Sequence, residues 1–319
     1  MSQGFYMRMF AREPDRAAQR MRRDAVIRPM RAAAGALVAA LLAAAAAAPP
    51  AAADDAAPAR PGAETGPRAP LAAAVSRLGD APRRWAPETE RRLASHAEQK
   101  QWEAVGRVNA GGSGFCTGTL VSDRHVVTAA HCVINARTGR AWRPGSIHFV
   151  AGYRKGGYAA HRTALRIALV DPDHPMSPKA RAELADISRD LAVLELSRPI
   201  TAEEVRPIPL ALPGVTPHHV DVYSYGRDRA EALSVERGCA VLARRGEVLF
   251  TRCEATPGVS GAPLVAVGPE GGRAGARVLG VVSVMGRSTA DSRGAPRGAG
   301  PALGVAADRL GKDLIESLQ

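Results

Sequence analysis

The stretch Leu120-Val121-Ser122-Asp123-Arg124-His125-Val126-Val127-Thr128-Ala129-Ala130-His131-Cys132 sets a histidine and a cysteine directly after a short run of valines. Two further segments share its texture of small residues around one reactive group: Asp190-Leu191-Ala192-Val193-Leu194, and Gly258-Val259-Ser260-Gly261-Ala262-Pro263. A serine hydroxyl is a poor nucleophile at neutral pH. It needs an imidazole to take its proton and a carboxylate to hold that imidazole in the right tautomer. His131, Asp190 and Ser260 supply those three groups, in that order. Taken singly, each has a plainer reading: His131 as a packed or metal-binding residue, Asp190 as a turn carboxylate before a strand, Ser260 as part of a Gly/Pro turn. For zinc, no second Cys or His stands at finger spacing, since His125 is six residues away and His218-His219 are remote and adjacent. It is the three segments together that carry the reading.

From Trp102 onward, short runs rich in Val, Ile and Leu recur between Gly, Pro and Asp clusters. They are Ala104–Val108, Phe115–Val121, Val126–Ala129, Ile147–Val150, Leu165–Val170, Leu191–Leu196, Val220–Tyr225, Ala240–Ala243, Val248–Phe250, Pro263–Val267 and Val278–Val284. Many short strands at regular spacing predict an all-β sandwich or pair of barrels. Asp308 to Leu318 is apolar at helical spacing through Leu310, Leu314, Ile315 and Leu318, which predicts a closing helix. Upstream, residues 54–70 are Ala, Pro, Gly and charge, a composition that cannot bury a core. Residues 71–101 are more helical but broken by Pro82 and Pro87, and read as a propeptide, a short packed extension or more linker; as a domain, 54–101 is taken as a disordered linker or propeptide.

The order His, Asp, Ser and the wording of residues 120–132 resemble the chymotrypsin-like (trypsin-like) serine proteases. That resemblance implies two six-stranded antiparallel barrels side by side with a C-terminal helix, the unit spanning residues 102–319. It implies His131 as general base, Asp190 as its orienter and Ser260 as nucleophile, with the N–H groups of Gly258 and Ser260 forming an oxyanion hole. No cofactor or metal is called for. Cys116 and Cys132 flank the histidine segment as a disulfide pair does in the family. That leaves Cys239 with Cys253, across an expected hairpin.

Two departures from the trypsin pattern stand out. Val259 occupies the place of the aspartate that receives the new amino terminus on zymogen cleavage, and Ala262 replaces a glycine. Both bring the chain nearer to a bacterial, secreted branch related to the glutamyl-endopeptidase-type enzymes. Glu254, six residues before Ser260, stands where trypsin has its pocket-floor acid; it reads equally as that floor or as a solvated residue beside a disulfide. The strand ending in Ser283 and Val284 resembles the one that lines the substrate cleft, Ser283 matching the serine that supports the triad carboxylate. Val282 stands where glutamate-specific relatives have histidine, which weighs against that specificity.

Charge and composition bound the rest. Of a net charge of +12 on 319 residues, residues 1–53 contribute +5 from eight arginines against Glu13, Asp15 and Asp24, which leaves +7 for the remainder. Aromatics are only 4% and do not alternate with arginine, which argues against a nucleic-acid module. Arg22, Arg23, Arg28 and Arg31 precede an apolar run from Ala32 to Ala48, followed by Ala51-Ala52-Ala53. This pattern predicts a cleaved export signal within residues 1–53, with Met21 and Met30 as alternative starts. The expected product is a secreted or periplasmic monomer with no membrane span, acting on protein or peptide substrates as a serine endopeptidase. A catalytically silent relative binding an anionic partner and an esterase using the same triad are the competing readings.

Overall fold

Alternating strands too short to be stable alone find their partners within two closed rings. The computed structural model describes residues 89–112, 114–173, 184–268, 272–285 and 300–319. The first ring is built from β2 (Val105–Ala110), β3 (Phe115–Leu120), β4 (His125–Thr128), β5 (Ile147–Ala151), β6 (Ala160–Leu169) and β7 (Ala192–Leu196), in the order β2-β3-β4-β7-β6-β5. The second uses β8 (His219–Ser224), β9 (Ser234–Arg245), β10 (Val248–Ala255), β11 (Pro263–Ala266), β12 (Arg277–Met285) and β13 (Gly300–Ala306), in the order β9-β10-β13-β12-β11-β8, and the β8–β9 pairing closes it. Closure removes the free sheet edges that would otherwise invite aggregation. The expected pair of antiparallel six-stranded barrels is therefore the architecture found. The helix Leu310–Glu316 lies against β6 and β7, its Leu314 buried in the first barrel's apolar cluster.

The structure differs from the sequence reading in three respects. The runs Leu165–Val170 and Ala240–Ala243 are only parts of the longer strands β6 and β9. β13 was not expected, because Gly-Pro-Ala-Leu-Gly-Val-Ala is a weak strand sequence. It is nevertheless central, paired to β10 on one side and β12 on the other.

The third difference lies upstream. Of the stretch 54–101 read as linker or propeptide, residues 89–101 pack on the barrels. β1 (Arg92–Leu93) pairs with β9. The helix His96–Gln101 begins with a capping box in which Ser95 Oγ accepts from Glu98 N at 3.1 Å and Glu98 Oε2 accepts from Ser95 N at 2.9 Å. Bonding to Arg92 holds the Glu98 carboxyl down at about 2. From the same helix the buried Gln99 donates to the Gly152 and Tyr153 carbonyls at 3.0 and 2.9 Å. Residues 54–88 and the Ala32–Ala48 run lie outside the described residues, among which no helix is long and apolar enough to cross a membrane.

Trp102, fully buried, joins the two barrels: its ring stacks on Tyr223 of β8 at 3.7 Å, and it belongs to a cluster that runs from Val105 and Phe149 to Val281 and Val305. Trp102→Ala is expected to cost roughly 3–5 kcal/mol. In a domain of this size that is a melting-temperature drop of at least about 6 °C, read by thermal denaturation. A drop under 2 °C would mean the barrels do not depend on this contact.

Candidate active site

The strand β4 ends at Thr128 and the chain turns at once into the short 3-10 helix Ala130–Cys132, which carries His131. The disulfide Cys116–Cys132 ties that turn back to β3. Asp190 sits just ahead of β7, β4's partner in the barrel, so strand pairing brings acid and imidazole together across 59 residues. Asp190 is completely buried. Its Oδ1 accepts from the His131 backbone N–H at 2.9 Å, and its Oδ2 lies 2.8 Å from His131 Nδ1. Ser283 Oγ, on β12 of the second barrel, donates to the same Oδ2. The nearby acids are spoken for: Asp171 and Asp186 both pair with Arg189.

Burial alone would lower the His131 pKa. The charge of Asp190 and its hydrogen bond more than offset that, so the ring titrates above its ordinary 6.5. With Nδ1 committed to Asp190, Nε2 is the free nitrogen. It lies 3.8 Å from Cys132 Sγ. That sulfur is oxidised into the disulfide with Cys116 and offers no thiolate to a metal.

Ser260 is half-buried, on a loop clamped from both barrels. Thr117 of β3, fully buried, holds it twice: its N–H donates to Ser260 O at 2.9 Å and its Oγ1 to Gly258 O at 3.2 Å, while its carbonyl accepts from Thr128 Oγ1 at 2.8 Å at the end of β4. Gly261 N donates to Val282 O at 2.7 Å. A Cβ on Gly261, at φ +79°, would stand 2.1 Å from the Thr117 carbonyl oxygen and 2.3 Å from Thr128 Oγ1, so the serine passes this close to the histidine's turn only beside a glycine. Among the described residues no hydrogen bond joins Ser260 Oγ to His131; such bonds are commonly long in free enzymes and tighten with substrate.

Backbone bonding alternates along the loop. Val259 N donates to Thr256 O at 3.1 Å and Gly261 N to Val282 O, while the N–H groups of Gly258 and Ser260 have no partner among the described residues. Gly258 takes φ +96°, where a side chain would meet the Tyr225 carbonyl at 2.8 Å. Val259 is fully buried in the cluster that holds the Cys239–Cys253 disulfide, so the loop is held partly by apolar packing.

Glu254 is buried and neither solvated nor a free charge. Its Oε1 accepts from Arg91 Nε and Nη2 at 3.2 and 3.1 Å, and the same guanidinium binds Asp228 Oδ2 at 2.5 Å. Asp228 in turn accepts from Thr256 Oγ1 at 3.3 Å, and Arg227 N donates to Pro257 O at 2.8 Å. Arg91 thus straps together the two walls that flank Thr256-Pro257-Gly258. Beside it Glu236 accepts from Thr89 Oγ1 and Glu254 N, and burial raises its pKa to about 7. Ser283 meets Asp190, as above; Val284 pairs through its backbone with Leu303, and its side chain lies outside the described residues. Arg91 and Thr117 escaped the sequence reading. Thr117's position next to Cys116 was the one available signal for it.

Residues 94–299, more than half of the chain, match the family model for Trypsin. Serine protease 23 of rat and of human are 32% and 31% identical to this chain over 165 residues. That segment is 46% of this chain and 41% of each relative, so the chain spans about two fifths of the length of the curated relatives it matches. Among solved structures, that of a Glu endopeptidase in complex with MPD superposes with a TM-score of 0.55 at 15% identity, covering 74% of this chain and 99% of the other. At that identity the likeness is one of fold.

Removing one member of a buried ion pair strands the other. Arg91→Met is therefore expected to destabilise the protein by roughly 3–5 kcal/mol in urea denaturation, with Glu254→Gln in the same chain recovering part of the loss. An Arg91→Met chain as stable as the parent would show that the strap carries no weight.

Proposed function

The chain belongs to the trypsin family, and from that premise we propose that it is an exported serine endopeptidase working through His131, Asp190 and Ser260. The observation that carries this reading is the bonded line Ser283–Asp190–His131 beside two unpartnered N–H groups at Gly258 and Ser260. In the proposed reaction His131 Nε2 takes the proton of Ser260 as Oγ adds to the scissile carbonyl carbon. The carbonyl oxygen becomes an oxyanion that accepts from the Gly258 and Ser260 N–H groups, each worth about 3–4 kcal/mol of barrier. His131 then hands its proton to the departing amine, leaving an acyl-enzyme on Ser260. Water, deprotonated by the same nitrogen, releases the acid and restores the serine. Asp190 holds the imidazole in place and stabilises its cation. Export is supported by the two disulfides, which persist in oxidising compartments, and by the basic-then-apolar leader.

The test is covalent labelling. A fluorophosphonate is expected to modify the wild-type chain on Ser260 and to leave Ser260→Ala and His131→Ala unlabelled, the double variant being little worse than either single one. Labelling that persists in Ser260→Ala would refute the assignment.

The pH dependence follows from the His131–Asp190 pair. Folding favours the imidazolium, so this pair's contribution to stability is full below about pH 6.5 and is lost as pH rises through the higher folded-state value. Catalysis has the opposite sign because it needs the neutral ring. The acid limb of kcat/KM is expected above pH 6.5, and Asp190→Asn should cut kcat about 10⁴-fold. A limb at or below 6.5 in the wild-type profile would contradict this account of His131.

A further inference from the structure

Arg107, on β2, is a cation with no counter-ion among the described residues. It makes no ion pair or hydrogen bond with any described residue, and its Nε is buried with no acceptor. Other half-buried or buried arginines bind carboxylates or carbonyls: Arg91 binds Asp228 and Glu254, Arg162 Glu204 and Arg244 Asp308, while Arg154 donates to the Ala94 carbonyl and Arg273 to those of Arg206 and Pro207. Desolvating a guanidinium without a partner is costly, so an open cation held this way is a site built for something else.

What holds it is aromatic. The Arg107 guanidinium carbon lies 4.0 Å from the centre of the Phe115 ring and 4.7 Å from that of Tyr153. Tyr153 is itself fixed, donating from its hydroxyl to Glu231 at 2.8 Å and accepting at its carbonyl from Gln99 and Tyr225. Ring contact engages none of the guanidinium's N–H donors, and those donors suit a carboxylate.

Arg107 lines a cavity of about 330 Å³ together with Asn109, His148, Tyr158 and His161. The two imidazoles stack at 5.1 Å and share a hydrogen bond of 2.9 Å, so each has one nitrogen engaged by the other. Burial, with His148 and Arg162 nearby, lowers the pKa of His161. Arg107 is one aromatic ring away from the proposed catalytic loop. Phe115, which covers Arg107, comes within 3.1 Å of the place a Cβ on Gly258 would take.

We propose that this cavity is a carboxylate subsite: it receives an acidic side chain of the peptide substrate, a few residues from the scissile bond, on the guanidinium of Arg107. The proposal rests on the peptidase reading for its occupant but not for its chemistry, and its test separates the two. Peptide pairs identical except for Glu or Gln at one position are scanned across the residues flanking the cleavage point. Glu is expected to raise kcat/KM about tenfold at one position, the gain a charge-assisted bidentate pair supplies. Arg107→Gln should bring that ratio close to one, and Arg107→Lys should leave it in between, with thermal unfolding checking that both variants fold.

The same peptides, fluorescently labelled, are titrated into the Ser260→Ala chain by anisotropy. Acid-selective binding that Arg107→Gln abolishes supports the subsite even if no peptide is cleaved. Hydrolysis without acid preference overturns the subsite alone. So does a preference spread evenly over all positions and retained in Arg107→Gln, which would belong to the overall charge of +12. Equal or undetectable binding of the two peptides also overturns it.

Discussion

A single buried carboxylate fastens the centre of this molecule. Asp190 has no exposure to water, yet it accepts from the His131 N–H and from Ser283 Oγ, and it faces the His131 ring. Taking an ion out of water is costly unless its lone pairs are filled. Asp190 is tolerated because its acceptors are met from two directions, the turn after β4 and strand β12 of the other barrel. The geometry of the site and the packing of the barrels are thus two aspects of one constraint: a change that spreads the barrels also strips hydrogen bonds from the acid.

The loop of Ser260 is governed in the same way, but from outside. It has no acid of its own to anchor, since Val259 is buried among apolar neighbours. Thr117 clips it to the first barrel, and Arg91 braces the residues before it through Glu254 and Asp228. The guanidinium belongs to the interior of the chain, so the brace does not depend on a newly freed amino terminus. A positive charge still stands behind the loop; it arrives on a side chain.

Much of this was legible in the sequence because it is local. The valine runs of 120–132 and 191–196, the small residues around His131 and the glycines at 258 and 261 each record a neighbour that must approach closely. The elements that escaped are those whose reason lies far along the chain. β13 has poor intrinsic strand character and is a strand because β10 and β12 lie on both sides of it. The eleven runs recognised from Trp102 onward were one short of the twelve strands that two closed six-stranded rings require, and that shortfall was the available hint. Arg91 sits in a stretch whose Pro- and charge-rich surroundings read as linker, and its partner comes 163 residues later. The reading of Glu254 as pocket floor or solvated group failed to include this third possibility for the same reason.

The place of β13 also sets a clock. Because the last strand in sequence is a middle strand in space, the second ring has an open seam between β10 and β12 until residue 306 has left the ribosome. Ser283 and the Val282 carbonyl that accepts from Gly261 belong to that ring. A nascent chain therefore carries its histidine and carboxylate before the second ring is closed, and pairing between strands distant in sequence is slow to form even afterwards. The proposed site is therefore assembled only once β13 has closed that seam.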